Sequence, residues 1–413
     1  MTTRRAFAFA LFLSTSTIAQ AEAQGWDAAD WDLTDSDIQP ADGWVFGKLD
    51  NGMRYIVRKG ERPEGTALVR MLVHAGSLDE RDDERGFAHY VEHMAFNGST
   101  NVPEGEMVKL LERLGLAFGA DTNASTSFDY TQYKLDLPRT DDELLDTALM
   151  LMRETASELT FAPEAVDRER GVVLSERRVR NTYALQNLID SLAFSYPEGR
   201  IANRLPIGTQ ETLQAADAAG LKAFWQREYV PASTVLVVVG DFDPAKVESK
   251  IRERFADWRP APSPEQPAAG PVDPAYAGAT DIHLDPALDE SVALSRHAPF
   301  VEIPDTKSER ARSLLRSIGE RIVDRRLQRL ARQENPPIPR RRPGVGRYAR
   351  HFSFNPTHRR HRGWWLETRP RCGHHGIPAR DPGRLHRSRG GRAARQLPQF
   401  IRNGSCAGSD ARQ

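Results

Sequence analysis

Cysteine is nearly missing from this chain of 413 residues: Cys372 and Cys406 are its two thiols, and both lie beyond residue 335. Residues 1–335 can therefore form no disulfide and offer no thiolate, so any metal centre there must be built from histidine and carboxylate. Lysine is absent from residues 336–413, and acids dwindle there to Glu367, Asp381 and Asp410 against 18 arginines. That stretch carries +15, and because the whole chain has a formal net charge of zero the remainder carries −15. No segment approaches about 18 consecutive apolar residues, so no integral membrane anchor is expected. With 39% hydrophobic and 28% charged residues, the chain is neither wholly disordered nor a multi-span membrane protein, and its length suggests two or three domains.

At the start, Arg4 and Arg5 precede an apolar run from Ala6 to Leu13, and Ala19, Ala21 and Ala23 offer small-residue cleavage sites. Residues 1–23 are expected to be a signal peptide of the Sec or twin-arginine type, followed by an N-terminal extension over 24–43. The mature chain would be periplasmic or secreted.

Asn51-Gly52, between Val45–Leu49 and Met53–Val57, predicts a hairpin over 44–58. Further strands are expected at Ala67–Ala75, Thr126–Leu137 and Ser233–Val239. Helices are expected from Arg85, from Pro103, over 141–158, from Pro163 to about Arg180, over 215–227 and over 244–258. Interleaved strands and helices make the class α+β over a domain spanning 44–258. Six prolines in 259–274 mark a linker, taken to 279. Strand over Thr280–Leu294 and helix over Asp305–Gln333 would begin a second unit over 280–335, a divergent repeat of the first with too few elements to close a core.

His89-Tyr90-Val91-Glu92-His93 reads H-x-x-E-H. One helical turn brings residues four apart onto one face, so His89 and His93 can each present a ring nitrogen to one zinc ion. Glu92 points to the same side, where a carboxylate can take a proton from a metal-activated water; the reaction class is hydrolysis. Catalytic zinc normally takes three protein ligands, so one more is required. The plain alternative is a surface helix with two histidines, against which stand the apolar neighbours Phe87, Tyr90, Val91 and Met94.

The run from His89 to Thr100 resembles the motif helix of the insulinase/pitrilysin family of zinc peptidases, and the similarity extends from about Leu49 to Trp258. It takes in Asn51-Gly52, Ala75-Gly76-Ser77, Asn123-Ala124-Ser125-Thr126 and Val239-Gly240-Asp241. The resemblance implies a sheet with helices packed on one face, one Zn2+ per chain, and Glu176 as third ligand. It also implies Glu169 as the acid orienting a ligand histidine, and Asn123, Ala124, Ser125 and Thr126 as a strand edge that takes peptide as an added strand. Apart from the resemblance, Glu169 and Glu176 read as a solvated stripe, and the plain alternative for 123–126 is an ordinary strand with polar faces.

Family members enclose peptide between two halves, from one longer chain or a partner subunit, and here the second half starts and then changes character. From about Pro336 the text is Arg, Pro, Gly and His without apolar periodicity, so residues 336–413 are expected to be disordered or out of frame. Arginines with Phe352, Phe354, Trp364 and Trp365 could suit a polyanion, but an exported protein meets little nucleic acid, and no nucleic-acid partner is expected. The leading expectation is a zinc-dependent endopeptidase or oligopeptidase acting on peptides or unfolded proteins. The alternative is a non-catalytic or partner-dependent peptide-binding or assembly subunit on the same fold.

Overall fold

The computed structural model describes residues 27–334, apart from positions 32, 118, 266, 268–269, 271–278, 289–290, 294–295 and 300–302, together with 347–350, 364–367 and 371–372. The expected signal peptide, the start of the extension and most of 336–413 lie outside the described residues. No helix among them is long and apolar enough to cross a membrane.

Six strands form one sheet: β1 (Trp44–Lys48), β2 (Arg54–Lys59), β3 (Ala67–Val73), β4 (Thr122–Thr126), β5 (Thr131–Leu137) and β6 (Thr234–Gly240). Their order is β1-β2-β6-β3-β5-β4, with β2 and β6 parallel and every other pair antiparallel. Alternation decides which face is dry. Tyr55, Val57, Val69, Met71, Leu236 and Val238 are fully buried, whereas Leu68 on the opposite face of β3 is 45% exposed. Each such fully buried aliphatic side chain contributes about 1.5–3 kcal/mol, so the sheet has one energetically dominant face.

That face is covered by helices, as the α+β expectation has it. In chain order they are α1 (Phe87–Met94), α2 (Glu106–Arg113), α3 (Asp142–Ser157), α4 (Pro163–Arg180), α5 (Tyr183–Ser195), α6 (Gln210–Ala215), α7 (Ala218–Glu228) and α8 (Pro244–Phe255). Local chemistry sets their limits. Asp141 caps α3 by accepting from Leu144 N–H, and Asp243 followed by Pro244 opens α8.

Several elements differ from the sequence expectation. The strand expected over 126–137 is a hairpin, β4 and β5, closed by Ser127 N–H donating to Tyr130 C=O at 2.8 Å. Gly76 lies against that turn, and a Cβ there would meet Asp129 N at 2.6 Å. The helix expected from Pro103 starts at Glu106, after Gly105 at φ +77°. The single helix expected over 215–227 is two, because Ala216 is extended (ψ 133°) and Asp217 recaps the chain through Gly220 N–H. Helix α5 answers to no sequence expectation, although Leu185, Leu188, Ile189 and Leu192 repeat at helical spacing; none of its residues is buried.

After the proline-rich stretch, the strand expected over 280–294 reduces, among the described residues, to β7 (Val292–Ala293). Asp285 turns the chain by accepting from Ala287 N–H at 2.8 Å, and Leu284 is left 87% exposed. Helix α9 (Lys307–Ala331) stands where a long helix was expected, with Leu314 and Leu315 exposed. Short strands β8 (Arg296–Pro299), β9 (Arg347–Arg350), β10 (Trp364–Glu367) and β11 (Arg371–Cys372) make the ladders β8-β10-β9 and β7-β11. Regular structure was not expected after residue 335; these ladders use backbone N–H and C=O groups, which an arginine-rich composition does not remove.

Asn51 ties the first hairpin to the end of α8: its amide donates to Phe255 C=O (2.8 Å) and Trp258 C=O (3.0 Å), while its oxygen accepts from Met53 N–H (3.1 Å). All of this is buried. Asn51→Ala strands three backbone groups and is expected to cost about 1–3 kcal/mol, read as a lower urea midpoint with an unchanged slope. A loss under about 0.5 kcal/mol would show that solvent satisfies those groups instead.

Candidate metal centre

Helix α1 has eight residues and depends on its surroundings for its place. Its N-cap is Gly86, at φ +99°, which has no side chain to cap with. The exposed N–H groups are taken by Glu84 C=O, on Phe87 N–H (2.8 Å), and by the Glu80 carboxylate, on Ala88 N–H (2.9 Å). Glu80 is completely buried, a position that favours its neutral form and pushes its pKa well up. Ala88, Tyr90, Val91 and Met94 are buried against the core, and Tyr90 Oη donates to Val166 C=O at 2.5 Å, stitching α1 to α4.

This brings the expected residues together. His89 Nε2 and His93 Nε2 are 3.2 Å apart, and Glu176 Oε2 of α4 is 3.3 Å from His93 Nε2 and 3.6 Å from His89 Nε2. His93 Nδ1 faces Glu169 Oε1 at 2.6 Å, so the acid seven residues before Glu176 engages the far side of the ring. Glu92 is buried beside them and its Oε2 accepts from Thr126 Oγ1 at 2.5 Å. Asn123, Ala124, Ser125 and Thr126 form most of β4, the edge strand of the sheet, and the Asn123 side chain accepts from Ala124 N–H at 2.9 Å.

Sequence reasoning missed two contributors and one contact. Arg180 pairs with Glu176 Oε1, leaving Oε2 to face the histidines; the signal was its position four residues on along α4. Glu80 holds the N-terminus of α1, and no local pattern links it to Ala88. Thr126 appeared only as part of a strand edge, and its bond to Glu92 spans 34 positions.

The electrostatics describe a place short of positive charge. Burial, with the charge of His93, lowers the His89 pKa to about 3 and leaves its ring neutral. Burial also disfavours charge on His93, yet hydrogen bonds to Glu169 and Glu176 outweigh it and raise its pKa to about 9. For Glu176 burial acts upward, but His93, His89 and Arg180 together lower it to about 2. Burial raises Glu92 to about 7 against the opposing Thr126 bond and His93 charge.

A zinc ion fits this donor set. Bonds of about 2.0–2.1 Å at tetrahedral angles place donors about 3.3 Å apart, close to the three separations between His89, His93 and Glu176. The donors are two imidazoles and a carboxylate, and the cation that His93 must otherwise become would be supplied by the metal.

Comparison with known proteins gives the family. The model for insulinase, peptidase family M16, matches residues 55–201, and that for the peptidase M16 inactive domain matches 215–335. A zinc protease PQQL-like protein of Arabidopsis thaliana is 34% identical over 299 residues, covering 72% of this chain and 31% of that protein. The probable zinc protease PqqL of Escherichia coli is 35% identical over 212 residues, covering 51% and 23%. The crystal structure of the first half of the Escherichia coli periplasmic protease PqqL superimposes with a TM-score of 0.70 at 28% identity, over 80% of this chain and 68% of that one. The chain thus spans roughly a quarter to a third of the length of these curated relatives. With the first match enclosing His89, Glu92, His93, Glu169 and Glu176, and zinc proteases among its relatives, the chain belongs to the insulinase family of peptidases, family M16.

Proposed function

We propose that this chain carries the catalytic half of a zinc-dependent endopeptidase or oligopeptidase that hydrolyses peptides or unfolded proteins. The observation that carries the reading is the convergence of His89, His93 and Glu176 with donor separations of 3.2–3.6 Å and a buried carboxylate, Glu92, on the same helix. His89, His93 and Glu176 would hold one Zn2+, with Glu169 fixing the His93 ring. When bound there, zinc supplies Lewis acidity, which brings the pKa of a bound water to about 7.

The chain's own residues do the rest. Glu92, near neutrality in its proton affinity, takes a proton from the attacking water and returns it to the departing amine. Among the described residues β4 has no strand on its outer side, so an extended peptide can add there as a further strand, recognised through its backbone more than its side chains. For that, Asn123 must release Ala124 N–H to the peptide. The expected signal peptide, and the periplasmic location stated for the Escherichia coli relative, support a periplasmic or secreted setting. A second reading, a peptide-binding or assembly subunit active only with a partner half, is favoured by one fact: the matched segment makes up only 31% and 23% of two relatives, which are more than twice as long as this chain.

Peptide hydrolysis and zinc content of the wild type and Glu92→Gln separate the two readings. Retained zinc with turnover lowered at least about a hundredfold in the variant is expected for a general base. Equal lack of turnover in both proteins supports the partner-dependent reading, and lack of zinc in the wild type sinks the metal assignment and the peptidase reading with it. Glu169→Ala and Arg180→Gln are each expected to weaken zinc about ten- to a hundredfold in chelator competition. A change under twofold would remove those residues from the site.

Metal affinity should also follow pH with a definite sign. In the metal-free chain His93 keeps its proton up to about 9, and a ligand imidazole must be neutral. Zinc affinity is therefore expected to rise about tenfold per pH unit from 6.5 to 8.5, one proton being displaced per ion. A flat profile would show that His93 is already neutral.

A further inference from the structure

We propose that Thr126 is the positioning residue of the general base: its hydroxyl fixes the Glu92 carboxylate and ties it to the end of the edge strand β4. The proposal rests on the peptidase reading for the role of Glu92, but not for its geometry. Glu92 lies in the last turn of α1, and a glutamate has three rotatable side-chain bonds, so the helix alone does not aim its carboxylate. Thr126 Oγ1 donates to Oε2 at 2.5 Å, and among the described residues no hydrogen bond reaches Oε1. One oxygen is thus anchored and the other keeps its lone pairs for a proton.

The anchor is itself rigid. Threonine is β-branched and stiff about χ1. Thr126 sits opposite Thr131 in the ladder, and Thr131, fully buried, donates its hydroxyl to Ala75 C=O at 2.9 Å. Thr131 is in turn in register with Val73 of β3. The sheet therefore aims the base, whereas α4 aims the histidines through Glu169 and Glu176. A neutral donor suits the task, because a lysine or arginine there would hold the carboxylate ionised and weaken it as a base. Since a peptide would add along this same strand, one residue sets the distance from the peptide backbone to the base.

The test uses the full chain with Thr126→Val, which removes the hydroxyl at nearly constant shape, and Thr126→Ser, which keeps it. In crystals of Thr126→Val the Glu92 carboxylate is expected to leave its place or split between conformers, while Thr126→Ser keeps it; zinc affinity stays within about twofold of wild type in both. Hydrolysis by Thr126→Val is expected to lose about ten- to a hundredfold in kcat with KM within about twofold, and Thr126→Ser to recover most of it. An unmoved Glu92 in Thr126→Val, or a change in KM alone, overturns the proposal. A wild type without turnover counts against the peptidase reading, and the crystals then decide the hydroxyl's role by themselves.

Discussion

Two imidazole nitrogens held 3.2 Å apart in a buried setting are the constraint on which this structure turns. Two cations at that separation would repel strongly in a medium poorer in water than the bulk, so the histidines cannot both be charged. The fold resolves this unequally: His89 is neutral down to low pH, and His93 is held as a cation by two carboxylates. Three acids, Glu92, Glu169 and Glu176, crowd one imidazolium. A divalent ion among the same donors relieves both the repulsion and the surplus of negative charge, which is why the arrangement reads as a metal centre and not as a salt-bridge cluster.

Holding the rings there is work for the surroundings of α1, because an eight-residue helix has little stability of its own. Glu80, with a buried carboxylate on Ala88 N–H, fixes one end, and the Tyr90 hydroxyl on Val166 C=O fixes the flank. The loop before the helix is braced in turn. Arg227 grips both oxygens of Glu84 at 2.8 Å, and Arg204, itself buried, pairs with Asp82 and reaches Glu80 C=O. Asp82 is exposed and its pair adds little stability, whereas losing Arg227 would leave the buried Glu84 carboxylate without its cation. Their value here is geometric, since each restricts the entry of the chain into α1.

The sequence made the local parts of this legible. Asn51-Gly52 marks its hairpin because the turn needs positive φ at Gly52, and His89, Glu92 and His93 declare themselves because one helical turn is a fixed distance. Glu176 and Glu169 were reached through resemblance; spacing alone could not tell a ligand pair from a solvated stripe. What stayed hidden was non-local or conformational. The bend at Ala216 that splits α6 from α7 has no warning beyond Asp217, and the Ser127–Tyr130 turn lies inside an alternating run that reads as one strand. The strand expected over 280–294 failed because Asp285-Pro286 turn chemistry overrode the apolar alternation of Ile282 and Leu284. Thr126 could not be linked to Glu92 before the sheet placed β4 beside α1.

Sheet closure also decides how much chain the site needs. The first family match ends at residue 201, and every metal-facing side chain lies within it. Yet β6, from residues 234–240, lies between β2 and β3 and pairs with both. Without it the sheet would separate into β1-β2 and β3-β5-β4, exposing two apolar edges and detaching the first hairpin from the strands that carry Thr126 and Thr131. Asn51 extends the requirement further, because the carbonyls it satisfies belong to Phe255 and Trp258. The second family match begins at residue 215, so the strand that completes the first sheet falls within the segment matched as the inactive domain. The smallest body able to hold His89, His93 and Glu176 in register is therefore set by strand pairing and runs through Trp258, past the last residue that faces the metal site.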